Sequence, residues 1–344
     1  MTEGVEARVL EALDARRAVV NEALEEVLPV VPPERLYAAS RHLLDAGGKR
    51  LRPAVVLLAA EAVADVEPGS RDYAAFPDLD GRPVDVMAGA LAVEIVHLFT
   101  LIHDDIMDDD DLRRGVPAVH REYDLETAIL AGDTLYSTAF EILLEAVEAP
   151  VRSVDALRLL ARTCTQISEG QAYDVGFESR DDVGLDEYLE MVRLKTAVLF
   201  GAASAIPAVL LGADEATRDA LQSYGMRVGQ AFQIHDDVLD LTVPSQALGK
   251  RRGSDLVEGK RTLITVHARE HGVDVDRLLP DRPVTEADVE AAVETLDGAG
   301  SIDYAREAAH ELAADGIAEL EVLRDNPARR LLEDVGRYLV ERGY

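Results

Sequence analysis

A chain of 344 residues with 66 carboxylates against 35 Lys plus Arg carries a formal net charge of −31, which argues against a nucleic-acid binder, since that class needs a basic stripe to neutralise phosphates. With 48% hydrophobic and 29% charged residues, it reads as globular with ample material for a core. The acidic excess reads as a solvated surface resembling those of proteins from salt-saturated cytoplasm, where the Debye length falls to about 3 Å at 1 M and self-repulsion is screened. Cys164 is the only cysteine, so a disulfide framework and a cysteine-built metal site are both excluded, and an inert core thiol is expected there.

In chain order, the start MTEGVEARVL lacks the basic residues and apolar run of a signal peptide. Leu10, Leu13, Val20, Leu24 and Val27 then fit one apolar helical face. Turn chemistry interrupts the helical pattern at Pro32-Pro33, at Gly47-Gly48 and over the loop from Pro68 to Pro83. Further breaks fall at Pro150, Gly184, Gly272 and Gly298 to Gly300. Leu185, Tyr188, Leu189, Val192 and Leu199 predict a second amphipathic face, and Thr285 with Asp288 predicts a helix N-cap. The longest apolar stretch, Ala197 to Ala213, is broken by Ser204 and Pro207 and falls short of the roughly 20 residues that span a bilayer. A buried helix and a cytoplasmic protein without a membrane span are therefore expected. No alternating strands and no solenoid-length repeat are found. The segment from Val66 to Asp85 is too short to divide two domains, so residues 1–344 are expected to form a single all-α domain.

Chemistry concentrates in two acidic clusters. Asp104, Asp105 and Asp108 close an apolar segment that runs from Ala90 to Ile102, and Asp104 and Asp108 share a helix face one turn apart. Such neighbours repel by up to about 4 kcal/mol per close pair at an effective dielectric near 20. A buried helix ending in crowded carboxylates calls for cations, and an oxygen-only ligand set suits Mg²⁺, which takes one or two carboxylates together with substrate phosphates. Asp236, Asp237 and Asp240 repeat the spacing behind Val228, Ala231, Phe232 and Ile234. A single acidic run in so acidic a chain is ordinary surface; two DDxxD runs, each ending an apolar helix, are not. Asp109, Asp110 and Asp111 read as solvent-facing charge.

Cations complete an anion site. Gly47-Gly48-Lys49-Arg50-Leu51-Arg52-Pro53 sets a glycine turn and basic side chains at a helix start, and Arg113 and Arg114 offer planar forks for phosphate oxygens. A second loop, Lys250-Arg251-Arg252-Gly253-Ser254-Asp255 with Gly259-Lys260-Arg261-Thr262, follows the second acidic helix. The only lysines are Lys49, Lys195, Lys250 and Lys260, three of them in these basic loops; a chain that otherwise uses arginine has kept an ammonium at those places. No GxxxxGK[ST] loop is present, which disfavours nucleotide chemistry.

Taken together, GGKRLRP, DDIMD with LRRG, GQAYD, KT, FQIHDDVLD and GKRRGSDLVEGKRT, spread over residues 40 to 270, resemble the trans-prenyl diphosphate synthase family, and more narrowly short-chain archaeal enzymes that make the C20 product, geranylgeranyl diphosphate, here from a halophile. The resemblance implies a class I isoprenoid synthase helical bundle around a central apolar cavity, working as a cytoplasmic homodimer. It implies a Mg²⁺-dependent condensation of isopentenyl diphosphate with an allylic diphosphate by ionisation, condensation and elimination. By the same resemblance Asp104, Asp105 and Asp108 face Asp236, Asp237 and Asp240 across the cavity, with Asp104, Asp108, Asp236 and Asp240 as metal ligands. Arg113, Lys195, Thr196, Gln233, Lys250 and Lys260 match positions at the allylic substrate, and of these Arg113, Lys195 and Lys250 join the aspartates in catalysis. Lys49, Arg52, His97 and Arg114 match positions at isopentenyl diphosphate, and Phe99 matches an aromatic plug that limits product length. Gln171 and Asp174 are weaker candidates beside the allylic site; His103 and His235 read as core or supporting residues. Farnesyl (C15) or longer products stay open. A class I terpene cyclase normally lacks the GGKR motif and carries a different second metal motif. A non-catalytic partner subunit usually loses one aspartate cluster, whereas both are present.

Overall fold

A computed structural model describes residues 3–146, 150–177, 179–244, 252–280 and 282–342. Helix follows helix, and the strands among the described residues are two small antiparallel hairpins. The first helix, α1 (Glu3–Val27), buries Val9, Leu13, Val20 and Leu24, whereas Leu10, expected on that face, is 40% exposed. Val9 takes its place because a step of eleven residues to Val20 returns to the same side of a 3.6-residue helix. After α2 (Glu34–Asp45) the glycine turn leads into α3 (Leu51–Ala64), which is buried on all sides from Pro53 to Ala62. The segment from Val66 to Asp85 folds as a hairpin, β1 (Phe76–Pro77) with β2 (Pro83–Val84), and its Phe76 is fully buried. Asp85 then caps α4 (Val86–Met107) by accepting the Ala88 amide.

A second hairpin, β3 (Leu112–Arg113) with β4 (Val116–Pro117), turns the chain back after the first acidic cluster. Two helices follow, the short α5 (Val119–Glu122) and α6 (Leu125–Glu145), the latter capped by Asp124. The next stretch comprises α7 (Pro150–Phe177), α8 (Leu185–Val192), a π-helical turn (Arg193–Ala197), α9 (Val198–Leu211) and α10 (Glu215–Thr242). Ser204 and Pro207 do not interrupt α9: the Ser204 hydroxyl donates to the Phe200 carbonyl, and the helix runs on to a left-handed Gly212. Beyond lie α11 (Ser254–Val257), α12 (Leu263–Glu270), α13 (Glu286–Gly298), α14 (Ser301–Glu319) and α15 (Pro327–Glu341). Thr285 and Asp288 cap α13 reciprocally, as their spacing predicted.

Two buried apolar clusters form. One gathers side chains of α1 to α4, α6, α7, α9 and α15; the other gathers α8 and α12 to α14. Helix α10 enters both, with Leu221, Tyr224 and Val228 in the first and Ala231, Ile234, Val238 and Leu241 in the second. Both α4 and the continuous helix 185–211 have the length and apolarity to cross a membrane, contrary to the expectation from residues 197–213 alone. Of their most apolar windows 72% and 89%, respectively, lies buried inside the fold, so both serve as core helices. Because α9 packs against α3, α4, α7 and α10, the acidic ends of α4 and α10 are carried on a rigid apolar frame.

Candidate active site

At the end of α4 the three aspartates divide. Asp104 Oδ1 lies 3.0 Å from Lys195 Nζ, and Asp108 Oδ2 lies 3.6 Å from Lys260 Nζ. Asp105 is fully buried and turned to Arg113, whose Nε donates to it at 2.5 Å while Nη2 reaches Asp110 at 2.9 Å. Asp110 is thus not simply solvent-facing, as its sequence suggested: the β3 turn folds Arg113 back over it. Burial pushes the Asp105 carboxyl up to about 6 despite Arg113, and burial with the Asp104 charge raises Asp108. Both shifts mark a helix end that favours additional positive charge.

That charge comes first from the π-turn. Lys195 donates to Asp174 Oδ2 at 2.5 Å as well as facing Asp104; burial pulls its pKa down, but the two aspartates more than reverse this and leave it raised. The turn can lie so close to α7 only because residue 170 is glycine, where a Cβ would stand 2.2 Å from the Lys195 amide nitrogen. Thr196, the next residue, donates to Gln233 Oε1 at 3.2 Å, and Gln233 Nε2 donates to Asp237 at 3.0 Å. Consecutive residues of one turn therefore touch both acidic helices. Such π-insertions redirect side chains at the cost of regular hydrogen bonding and recur at functional sites.

In the second cluster Asp236 is held by Arg342 Nη2 at 2.8 Å. Asp237 is buried between Gln233 and the hydroxyl of Tyr188, which donates at 2.6 Å. Asp240, expected as a metal ligand, is 1% exposed and turned to α11: it accepts from Ser254 Oγ at 2.8 Å and from the Asp255 amide at 3.3 Å. Its carboxylate thus meets the start of that helix, which the Gly253 turn brings back onto α10. Lys250 lies outside the described residues.

A cavity of about 320 Å³ adjoins these clusters, lined by Gly48, Lys49, Arg52, His97, Arg114 and Phe232. Arg52 Nη1 donates to His97 Nε2 at 3.2 Å, its guanidinium lies 4.4 Å from the Phe200 ring centroid, and its buried Nε has no hydrogen-bond partner among the described residues. Burial pushes Arg52 down to about 10. Burial, then Arg52 and Arg114, hold His97 well below its ordinary value and so neutral, which suits it to accept from Arg52. Lys49 is lowered by burial and by Arg342. With Arg114 also lowered, chiefly by burial, four of the pocket's bases are depressed, which marks a space short of anions. Larger grooves, of about 560 Å³ between α14 and α15 and about 430 Å³ beside α1, lie away from the aspartates.

No three His, Cys, Asp or Glu side chains converge as a metal cage among the described residues. The outward carboxylates Asp104, Asp108 and Asp236 instead fit an ion that takes few protein oxygens and shares the rest with water and phosphate, as Mg²⁺ does. Phe99, half-buried, packs on Tyr136 of α6 with ring centroids 5.2 Å apart and on His103 at 4.8 Å. Asp174 emerges as the second anchor of Lys195. Tyr188, Arg342 and Glu94, a carboxylate buried midway along the apolar α4, were not legible as functional from sequence, nor was Arg50 within its motif.

The model of the polyprenyl synthetase family matches residues 33–296. The chain belongs to the polyprenyl synthetase family. Among its relatives, the geranylfarnesyl diphosphate synthase of Natronomonas pharaonis is 64% identical over 97% of both chains. The geranylgeranyl diphosphate synthase of Methanosarcina mazei is 49% identical over 98% of both. The solved structure of the geranylgeranyl pyrophosphate synthetase from Geoglobus acetivorans superposes with a TM-score of 0.86 at 46% identity, covering 96% of this chain and 99% of that one. As a polyprenyl synthetase this protein is a prenyltransferase with the class I isoprenoid fold, and a product of C20 or longer fits its relatives.

Proposed function

We propose that this polyprenyl synthetase condenses isopentenyl diphosphate with an allylic diphosphate in a trans, head-to-tail reaction whose main product is geranylgeranyl diphosphate. The contact of Lys195 with Asp104 and of Thr196 with Gln233, one turn before Asp236, carries this reading, because it ties both acidic helices to one point. Lys195, Arg113 and Lys260 hold the allylic diphosphate from the cationic side, with Lys250 expected to join them, and Thr196 and Gln233 orient it. Asp104, Asp108 and Asp236 would hold Mg²⁺, which when bound supplies neutralisation of the charge gathering on the departing diphosphate. Lys49, Arg52, Arg114 and neutral His97 hold isopentenyl diphosphate in the adjoining cavity. No protein nucleophile is needed: the isopentenyl double bond attacks the allylic cation, a proton is lost to the released diphosphate, and apolar walls keep water from quenching the cation.

The same reading takes residues 1–344 as one domain, supported by α10 feeding both apolar clusters. It takes the protein as a cytoplasmic homodimer of a salt-adapted cell. The second copy is supported by Leu125, Ile129, Leu130 and Leu144, exposed along α6, and the salt adaptation by the charge of −31.

For product length, Phe99 backed by Tyr136 supports a floor that stops growth at C20. The 64% identity to a synthase named for geranylfarnesyl diphosphate favours a second reading, C25. Chromatography of products from isopentenyl and farnesyl diphosphates in Mg²⁺ and high salt decides between them. A C20 product that lengthens in Phe99→Ala is expected; a C25 product, or no change in the variant, would contradict the plug.

A further inference from the structure

Glu94 is 2% exposed and lines the cavity assigned above to isopentenyl diphosphate. A carboxylate in an anion pocket weakens the field that attracts the ligand, so its presence needs a reason. Arg50, 3% exposed, supplies one: its Nη1 donates to Glu94 Oε1 at 2.9 Å and to the Gly47 carbonyl at 3.3 Å. Its Nε donates to Asn21 Oδ1 on α1 at 2.8 Å, and its Nη2 to the Leu44 carbonyl at 3.1 Å. One guanidinium thus joins α1, the end of α2, the glycine turn and α4. Arg50 is also held in the left-handed region, at φ 48°, a conformation a non-glycine residue keeps only when its surroundings impose it. The residues on either side of that bend in the motif, Lys49 and Arg52, are the pocket's ligand groups. Gly48 lies so close behind that a Cβ there would stand 2.7 Å from Arg50 Nη1 and 2.9 Å from Arg114 Nη1.

Charge points the same way. Arg50, Arg52 and Arg114 are the charges acting most strongly on Glu94. Lys49 and those three arginines set against one carboxylate leave a net charge equal and opposite to that of a diphosphate monoester trianion. Without Glu94 the guanidiniums would repel one another in a buried space before any ligand arrives.

We propose that Glu94, through Arg50, is a positioning residue for the isopentenyl diphosphate pocket: it fixes the glycine turn and the strained bend that aim Lys49 and Arg52 at the diphosphate. The proposal rests on the assignment of that pocket. Steady-state kinetics of Glu94→Gln, with the two substrates varied separately, tests it. A rise of tenfold or more in KM for isopentenyl diphosphate, with KM for the allylic diphosphate within twofold of the parent, is expected. An unchanged or lowered isopentenyl KM overturns the proposal, as does an equal rise for both substrates, which would mark a general loss of structure. Should Glu94→Gln not fold, Arg50→Lys keeps the charge, loses the fan of hydrogen bonds and is read by the same criteria. Arg52→Ala separates the two layers. If it raises the isopentenyl KM while Glu94→Gln does not, only the positioning role falls; if it leaves that KM unchanged, the pocket assignment falls with it.

Discussion

Adjacent aspartates in the first cluster take different main partners: Asp105 is sealed against Arg113, while Asp104 meets the Lys195 ammonium. The second cluster repeats the division, with Asp237 sealed against Tyr188 and Gln233 and Asp236 turned to the guanidinium of Arg342. Under the proposed function, the first aspartate of each run is therefore the one that would exchange a protein cation for a metal. Asp104→Ala and Asp236→Ala should each lower kcat by roughly two to three orders of magnitude, the scale of removing one preorganised electrostatic group. Their circular dichroism should remain helical, since neither carboxylate supports the core. Near-parental turnover in either variant would remove that residue from the metal site.

At the scale of elements, the π-turn between α8 and α9 joins the two acidic helices, and its position depends on Gly170. Gly170→Ala would drive a methyl group into the Lys195 backbone, so α7 and the turn must separate. A loss of about 1–3 kcal/mol in stability, typical of overpacking, together with a larger loss of turnover through the displaced Lys195, is expected from denaturation and rate measurements; a variant with both unchanged would contradict this account of the close approach. The acidic helices themselves were legible in the sequence, because apolar runs ending in DDxxD leave few alternatives, and so was the α13 cap, which depends on a local Thr285–Asp288 spacing. The π-turn was not legible: one extra residue per turn leaves no mark in the composition of RLKTA. Nor was the contact of Asp240 with Ser254, which depends on α11 folding back through the Gly253 turn. Glu94 did leave a signal, a single charge inside the apolar run of α4, but a buried partner from α3's leading turn was needed to give it meaning.

For the whole molecule, the proposed salt adaptation rests on the −31 of net charge, and the proposed dimer on the apolar residues exposed along α6. Raising KCl from about 0.1 M to about 2 M, where the Debye length shrinks to about 3 Å or less, should raise Tm and give a light-scattering mass of two chains. A Tm that falls with salt, or a single-chain mass at high salt, would contradict the salt adaptation or the dimer, respectively. In the proposed function the two acidic helix ends grip one diphosphate through shared metal ions. The most direct measurement of that grip is anomalous scattering from a crystal of the protein soaked with Mn²⁺ and an unreactive thiolo analogue of the allylic diphosphate. The account predicts manganese peaks bridging the analogue's phosphates to Asp104 and Asp108 on one side and to Asp236 on the other; peaks confined to one cluster, or lying on the outer acidic surface, would contradict it.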